Sequence, residues 1–299
     1  MNRAIEKALI LVSYGGGGVA ETADGEPIEC RYRRSVGRPV CGDVVGLQRQ
    51  REGAAAVTSI EPRRNEFVRA DARQRKQLVA ANLDRVLVVI APRPSPSRDL
   101  VERYLVAVHT LGIRPILVVN KAELMDADGG FEEGPLSRLD EYRDLGLDVV
   151  ETSCKGEPGT ARLAEQIVGH TRILVGQSGV GKSSLVNALL PDLQLQTGAL
   201  SRVTGKGTHT TTTTIMYRLP CGGRLIDSPG VWEYGLWRMD QKELAAGFPE
   251  FHPHDLACRF NDCSHAVEPG CAVVAAVSEG KIPDWRYRAY RRLLEQAGD

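Results

Sequence analysis

Gly176-Gln177-Ser178-Gly179-Val180-Gly181-Lys182-Ser183 decides how this chain is read. The stretch fits G-x-x-x-x-G-K-[ST]. Its surroundings fit too, because the apolar run Ile173 to Val175 reads as a strand entering it and Ser183 to Leu190 as a helix leaving it. Glycines let successive backbone N–H groups converge on phosphates, and the helix N-terminus adds a favourable dipole. Gly176, Gln177, Ser178, Gly179, Val180, Gly181, Lys182, Ser183 and Ser184 are therefore the candidate phosphate-binding residues. Lys182 is the charge that reaches the β- and γ-phosphates, and Ser183 is a ligand for Mg²⁺.

Downstream, Asp227-Ser228-Pro229-Gly230 comes after the strand Leu225 to Ile226. A carboxylate at such a strand end is placed to hold Mg²⁺, directly or through water, and the Gly230 N–H to meet the γ-phosphate. Between the two lies Gly207-Thr208-His209-Thr210-Thr211-Thr212-Thr213-Thr214, a hydroxyl-rich loop of the kind that folds over a γ-phosphate. Part of the tract feeds the strand Ile215 to Leu219. Thr211 is the favoured metal ligand, with Thr210 and Thr212 next. The position after Gly230, where many such enzymes carry a water-orienting glutamine, is Val231. Slow intrinsic turnover is expected, with His209 the candidate that completes the site.

Upstream, Asn120-Lys121-Ala122-Glu123 comes after the strand Ile116 to Val119. An acidic side chain there accepts from guanine N1–H and the 2-amino group, a pair that adenine lacks, so GTP is the expected substrate and ATP is disfavoured. Asn120 suits the N7/O6 edge, and the Lys121 stem lies along the base plane. Thr152-Ser153-Cys154-Lys155 ends the next strand, and its Ser153 and Cys154 supply backbone N–H to guanine O6. These elements precede the phosphate loop, the reverse of the usual order. The domain is therefore circularly permuted, and its Asp227–Gly230 switch borders the C-terminal zone.

Three zones emerge: 1–72, 73–232 and 233–299. The first carries the short strand candidates Ala8 to Ser13, Ile28 to Arg34, Asp43 to Gln50 and Ala54 to Ile60, with Gly15 to Gly18 among the separating turns. A small OB-fold barrel is the expected result. The second alternates strands and helices (Asp99 to Leu111 with Ser97 as N-cap, Leu136 to Leu145, Ala161 to Val168), which predicts a mostly parallel sheet covered on both faces. The third ends in a basic helix over Trp285 to Gln296 and holds Cys258-x4-Cys263-x-His265-x5-Cys271. Three thiolates and one imidazole within fourteen residues are a closed structural zinc set. His252 and His254, both before the first thiol, rank below His265 as the nitrogen ligand.

The chain has 299 residues, 42% apolar and 25% charged, the composition of a folded protein with more than one domain. No run approaches the roughly 20 apolar residues of a membrane span. The seven cysteines, with no secretory signal, point to a reducing, cytoplasmic setting in which clustered thiols bind metal. Net charge is zero, yet Arg31 to Lys76 carries twelve Lys/Arg against five Asp/Glu, and Lys281, Arg286, Arg288, Arg291 and Arg292 are opposed by Asp284 alone. Basic ends around a neutral middle suit a polyanionic partner.

With these motifs in place, the chain resembles the ribosome small subunit-dependent GTPase A family over nearly its whole length. The resemblance takes in Gly42-Asp43-Val44-Val45, the permuted motifs, Asp227 to Leu236 and the cysteine cluster. It implies an N-terminal OB-fold, a permuted GTPase domain and a C-terminal zinc domain. It further implies GTP hydrolysis to GDP stimulated by the 30S subunit, contact with 16S rRNA and with other assembly factors, and a monomer acting late in 30S maturation. The chain departs from the family in carrying Glu123 where aspartate is usual and Cys154 in place of alanine. A nucleotide-binding module that scarcely hydrolyses is the competing reading, and Val231 is the feature that favours it.

Overall fold

The computed structural model describes residues 4–50, 53–71, 75–97, 99–125, 135–190, 192–193, 196, 214–228 and 239–297. Five strands open the chain: β1 (Glu6–Tyr14), β2 (Gly17–Thr22), β3 (Pro27–Tyr32), β4 (Val44–Gln48) and β5 (Ala55–Ile60). They pair in the order β1-β2-β3-β5-β4, and β4 returns to β1 to close a barrel. Small and branched side chains fill it, among them Ala8, Ile10, Ala20, Val45, Leu47 and Val57. One expectation needs correcting. Gly17 and Gly18 lie within β2 and pair with Arg31 and Cys30 of β3, so only Gly15 and Gly16 form the turn. A Cβ on Gly18 would lie 2.2 Å from the Val12 carbonyl oxygen, so glycine serves close strand approach here.

The far edge of β1 is divided between two partners. Glu6 to Leu9 pair with β4, the register slips between Ile10 and Val12, and Val12 then pairs with Ile215 of β12 (Ile215–Arg218). The bulge turns the strand out of the barrel and into the next sheet. A hairpin of β6 (Glu66–Ala70) and β7 (Lys76–Ala81), unforeseen in the sequence, covers the junction. Gly42 packs there with φ +91°, where any Cβ would lie 2.1 Å from the Ala81 carbonyl oxygen. Buried Asp43 takes both Nε (2.7 Å) and Nη2 (2.9 Å) of Arg63. Gly42-Asp43 is thus the corner at which barrel and hairpin lock together.

The central sheet runs β10-β9-β8-β11-β13-β12. Strands β8 (Arg85–Ile90), β9 (Arg114–Asn120), β10 (Asp148–Thr152), β11 (Thr171–Val175) and β13 (Arg224–Asp227) are mutually parallel, and β12 is antiparallel to β13. In β8, Val86, Val88 and Ile90 face one hydrophobic cluster, while Leu87 and Val89 face the other. Burial on both sides explains the unbroken apolar run. Helices α1 (Leu100–Thr110) and α2 (Leu139–Asp144) cover the first face; α3 (Ala161–Ile167) and α4 (Lys182–Leu189) cover the second. Ser97 does not cap α1 with its side chain: its carbonyl accepts from Leu100 N (3.1 Å), and Asp99 is the residue at the cap. The Asp99 carboxylate is itself engaged by Arg292 at 2.8 Å.

The C-terminal part is helical, with α5 (Gln241–Ala246), α6 (His252–Asp255), α7 (Ala272–Ser278) and α8 (Asp284–Ala297). Its anchor is Arg286 of α8, 2% exposed. Its guanidinium pairs with Glu102 of α1 and with Glu250 (2.5 Å), and lies 4.4 Å over the Phe248 ring. Tyr142 completes the group by donating to Glu102 at 2.5 Å. A residue counted in the basic end of the sequence is therefore a buried tie between two parts of the molecule.

Candidate nucleotide site and metal centre

The phosphate loop leaves β11, which lies between β8 and β13, at the sheet edge where parallel strands end and ligands collect. Its glycines are dictated by neighbours. Gly176 (φ +150°) passes so close to β8 that a Cβ would meet the Val89 carbonyl oxygen at 2.3 Å. Gly181 (φ +96°) precedes α4, and a Cβ there would meet Asn120 Nδ2 at 2.3 Å. Lys182 Nζ donates to the carbonyls of Gly176 (2.7 Å) and Gln177 (2.9 Å), which holds the ammonium over the loop.

The structure brings the upstream motif onto this loop. Asn120 ends β9 and is 1% exposed. Its Nδ2 donates to the Val180 carbonyl at 2.9 Å, and its Oδ1 accepts from Thr152 Oγ1 at 3.2 Å. Lys121 adopts the left-handed conformation (φ 59°), uncommon for a residue with a side chain. Its Nζ donates to the carbonyls of Arg93 and Gly179, both at 2.6 Å, and these contacts hold the backbone there. Glu123 lies exposed in the 3₁₀ turn Ala122–Leu124, and among the described residues its carboxylate has no hydrogen-bond or ionic partner.

In the adjoining loop, the Ser153 N–H donates to Gly159 O (3.0 Å), and Ser153 Oγ accepts from the N–H groups of Lys155 (3.1 Å) and Gly156 (2.9 Å). The Cys154 N–H is left without a partner among the described residues. Its thiol lies 4.0 Å from Asn120 Oδ1.

Two contributions escaped the sequence reading, the first of them the side-chain role of Thr152, a residue already quoted in the supporting loop. Thr152 orients the Asn120 amide, and the Arg93–Ser95 segment after β8 crosses the phosphate loop, with Gln177 Nε2 donating to Pro94 O at 2.9 Å. The available signal was position, since that segment leaves β8 at the same edge of the sheet.

Asp227 closes β13 opposite Ile215 of β12. Burial pushes its carboxyl pKa up, while the nearby Lys182 charge pulls the other way. Thr214 and Ser228, which flank this rung, join hydroxyl to hydroxyl at 2.8 Å. His209, Thr211, Gly230 and Val231 lie outside the described residues, as do Thr210 and Thr212.

In the C-terminal part, Cys258, Cys263, His265 and Cys271 bring one donor atom each to within 4.8 Å of all the others. Cys258 Sγ and Cys271 Sγ are 3.9 Å apart, and each lies 3.6 Å from His265 Nδ1. Thiolates about 2.3 Å from a tetrahedral metal would be separated by about 3.8 Å, so the set fits a zinc-sized ion. Burial, reinforced by the neighbouring thiols, pushes the Cys263 pKa up to about 12; a cation is the natural counterweight for three thiolates. Backbone N–H groups of Ala272 and Val274 point at Cys258 Sγ and Cys271 Sγ (both 3.4 Å), and Tyr287 and Tyr290 hold the His265 and Ser264 carbonyls. Neither His252 nor His254 belongs to this cluster.

Comparison with known proteins agrees with this geometry. A family model described as RsgA GTPase matches residues 60–237. A Pseudomonas aeruginosa protein named small ribosomal subunit biogenesis GTPase RsgA is 43% identical over 285 residues, covering 95% of this chain and 84% of that protein. Its namesake from Azotobacter vinelandii is 41% identical over 293 residues, 97% and 85% of the two chains. Among solved structures, YjeQ from Thermotoga maritima superposes with a TM-score of 0.77 at 27% identity, over 98% of this chain and 99% of its own. YloQ, described as a circularly permuted GTPase, gives 0.74 at 26% identity, over 99% and 96%. A family match across more than half of the sequence, joined to relatives this similar over nearly its full length, means that the chain belongs to the RsgA GTPase family.

Proposed function

We propose that this GTPase acts on the small ribosomal subunit, hydrolysing GTP to GDP and phosphate late in 30S maturation under stimulation by the subunit itself. The observation that carries the reading is the Asn120–Val180 bond, which fuses a guanine-selecting motif to a phosphate loop in one site. Glu123 accepts from the base, Asn120 and Lys121 frame it, and the Cys154 N–H serves its O6. Lys182 meets the β- and γ-phosphates. Ser183 and Asp227 are the residues that would hold Mg²⁺, which supplies positive charge against the phosphates when bound. Thr211, Gly230 and the water-activating His209 remain proposals drawn from the sequence.

Cys258, Cys263, His265 and Cys271 would hold a structural Zn²⁺, which supplies folding energy to the loop between α6 and α7 that carries them. The zones 1–72, 73–232 and 233–299 are proposed as the RNA-binding barrel, the GTPase unit and the zinc unit. The basic stretch Arg31 to Lys76, which runs from the second half of the barrel through the β6–β7 hairpin, supports contact with 16S rRNA. Among the described residues no helix is long and apolar enough to cross a membrane, and a cytoplasmic monomer is the proposed form. Multiple-turnover GTP hydrolysis with and without purified 30S subunits tests the assignment. A marked rise with subunits is expected, and an unchanged rate would overturn it; competition by ATP should be negligible.

A further inference from the structure

Cys41 occupies an unusual position for a residue of the barrel. Its backbone bridges to Ala80 of β7, and its carbonyl accepts from Ala81 N at 2.9 Å. Its side chain points to the fork where β1 leaves β4 for β12. There the single S–H lies 3.0 Å from the Leu11 carbonyl, at the bulge, and 3.2 Å from the Thr214 carbonyl, at the start of β12. The residue is 1% exposed. Burial pushes the thiol pKa up to about 12, so it keeps its one proton, which the two carbonyls share.

The rung beside it runs straight to the nucleotide site. Val12 pairs with Ile215, and Ile215 pairs with Asp227. Thr214 is tied to Ser228, the residue after Asp227, through their hydroxyls. A second set of contacts fixes the other end of the same two strands. Glu21 of β2, buried, takes Arg218 of β12 at 2.7 Å and Arg224 of β13 at 2.6 Å. The barrel therefore grips β12 at both ends, and β12 in turn sets where β13 delivers its terminal carboxylate.

We propose that Cys41 is a positioning residue for the metal–phosphate end of the site: through Thr214 and the Val12–Ile215–Asp227 rung, the barrel sets the placement of the Asp227 carboxylate. The proposal rests on the reading of Asp227 as a Mg²⁺-holding residue. Its consequence is reciprocal, since a ligand that shifts the barrel must change metal-dependent nucleotide binding, and nucleotide must change affinity at the barrel by the same factor. Sheet hydrogen bonds and a buried thiol bond make a stiff path, in which a small displacement of β1 is not absorbed by a linker.

The test uses the full chain with Cys41→Val, which removes the donor and adds one methyl group, and Cys41→Ser, which restores a donor. Mg²⁺ is titrated in the GTPase assay, and GDP affinity is measured in EDTA. Cys41→Val is expected to raise the Mg²⁺ concentration for half-maximal turnover about threefold to tenfold, the net value of one hydrogen bond, leave EDTA-state GDP affinity unchanged, and recover in Cys41→Ser. If valine is not accommodated, Cys41→Ala carries the same expectation. An unmoved Mg²⁺ response in Cys41→Val, equal defects in Val and Ser, or a parallel loss of GDP affinity in EDTA would overturn the coupling. Asp227→Asn separates the two ideas: if it too leaves the Mg²⁺ response unmoved, the metal reading has failed and the coupling with it.

Discussion

Asn120 and Val180 lie sixty residues apart and are joined by one bond of 2.9 Å, from a side-chain amide to a backbone carbonyl. The bond ties the loop that follows β9 to the phosphate loop. It also explains the residue beside it, because the amide passes through the space where a Gly181 Cβ would stand. Substituting Asn120 with alanine should leave the Val180 carbonyl unsatisfied in a buried setting, at a cost of about 1–3 kcal/mol. GDP affinity should fall at least about fivefold from this loss alone, measured by fluorescence titration with a labelled nucleotide.

Gly181→Ala should be as damaging as Asn120→Ala, since its methyl group collides with the Asn120 amide and its φ of +96° strains any L-residue. In the double variant the collision is gone and only the strain remains. The two losses in GDP affinity should therefore add to less than their sum, and strict additivity would show that the residues do not meet.

Arg286 supplies a stability prediction. Truncating it to alanine leaves Glu102 and Glu250 facing each other without a counter-charge, and should cost about 3–5 kcal/mol. Replacing all three with apolar residues (Arg286→Met, Glu102→Leu, Glu250→Leu) should cost far less, because no buried charge is orphaned. Denaturant melts of the two variants should differ in midpoint in that order.

Removal of metal should act on the C-terminal part alone. Cys271→Ser is expected to reduce bound zinc from about one ion per chain to near zero, and to make residues around α7 and α8 labile to hydrogen exchange. GDP binding should persist, since the nucleotide site draws on other elements. Glu268 contributes from outside the ligand set by accepting from the N–H groups of Ser264, Ala266 and Val267. Glu268→Ala should weaken zinc retention less than Cys271→Ser does.

Burial raises the Asp227 carboxyl against the opposing pull of Lys182, which gives the site a pH signature with two opposite signs. On the proposal that the ionised Asp227 holds Mg²⁺, the Mg²⁺ requirement should climb as pH falls, beginning above the ordinary carboxylate range. In metal-free protein the raised folded-state pKa favours protonation in the native state, so the wild-type chain should gain stability relative to Asp227→Asn as pH falls. Melts of the two proteins against pH, in EDTA, check the second sign.

Much of this architecture was legible because the relevant signals are local. The phosphate loop, the two-sided apolar run of β8 and the cysteine spacing each state their structure within a few residues. What stayed hidden depends on partners far along the chain. Gly17 and Gly18 read as turn residues because their close approach to β1 and β3 leaves no mark in sequence. Thr152 and Pro94 are ordinary residues until the sheet sets them beside Asn120 and Gln177. Arg286 was counted as surface charge, since burial of a cation is decided by two carboxylates supplied from elsewhere.

The split edge of β1 has a consequence for anyone who would divide this protein. Cutting between barrel and nucleotide unit would remove the Val12–Ile215 pairing and bare the outer edge of β12 to water. Such a bare edge recruits other chains. A fragment beginning after the barrel is therefore expected to self-associate or precipitate, however intact its phosphate loop. The two halves are best treated as one unit of purification.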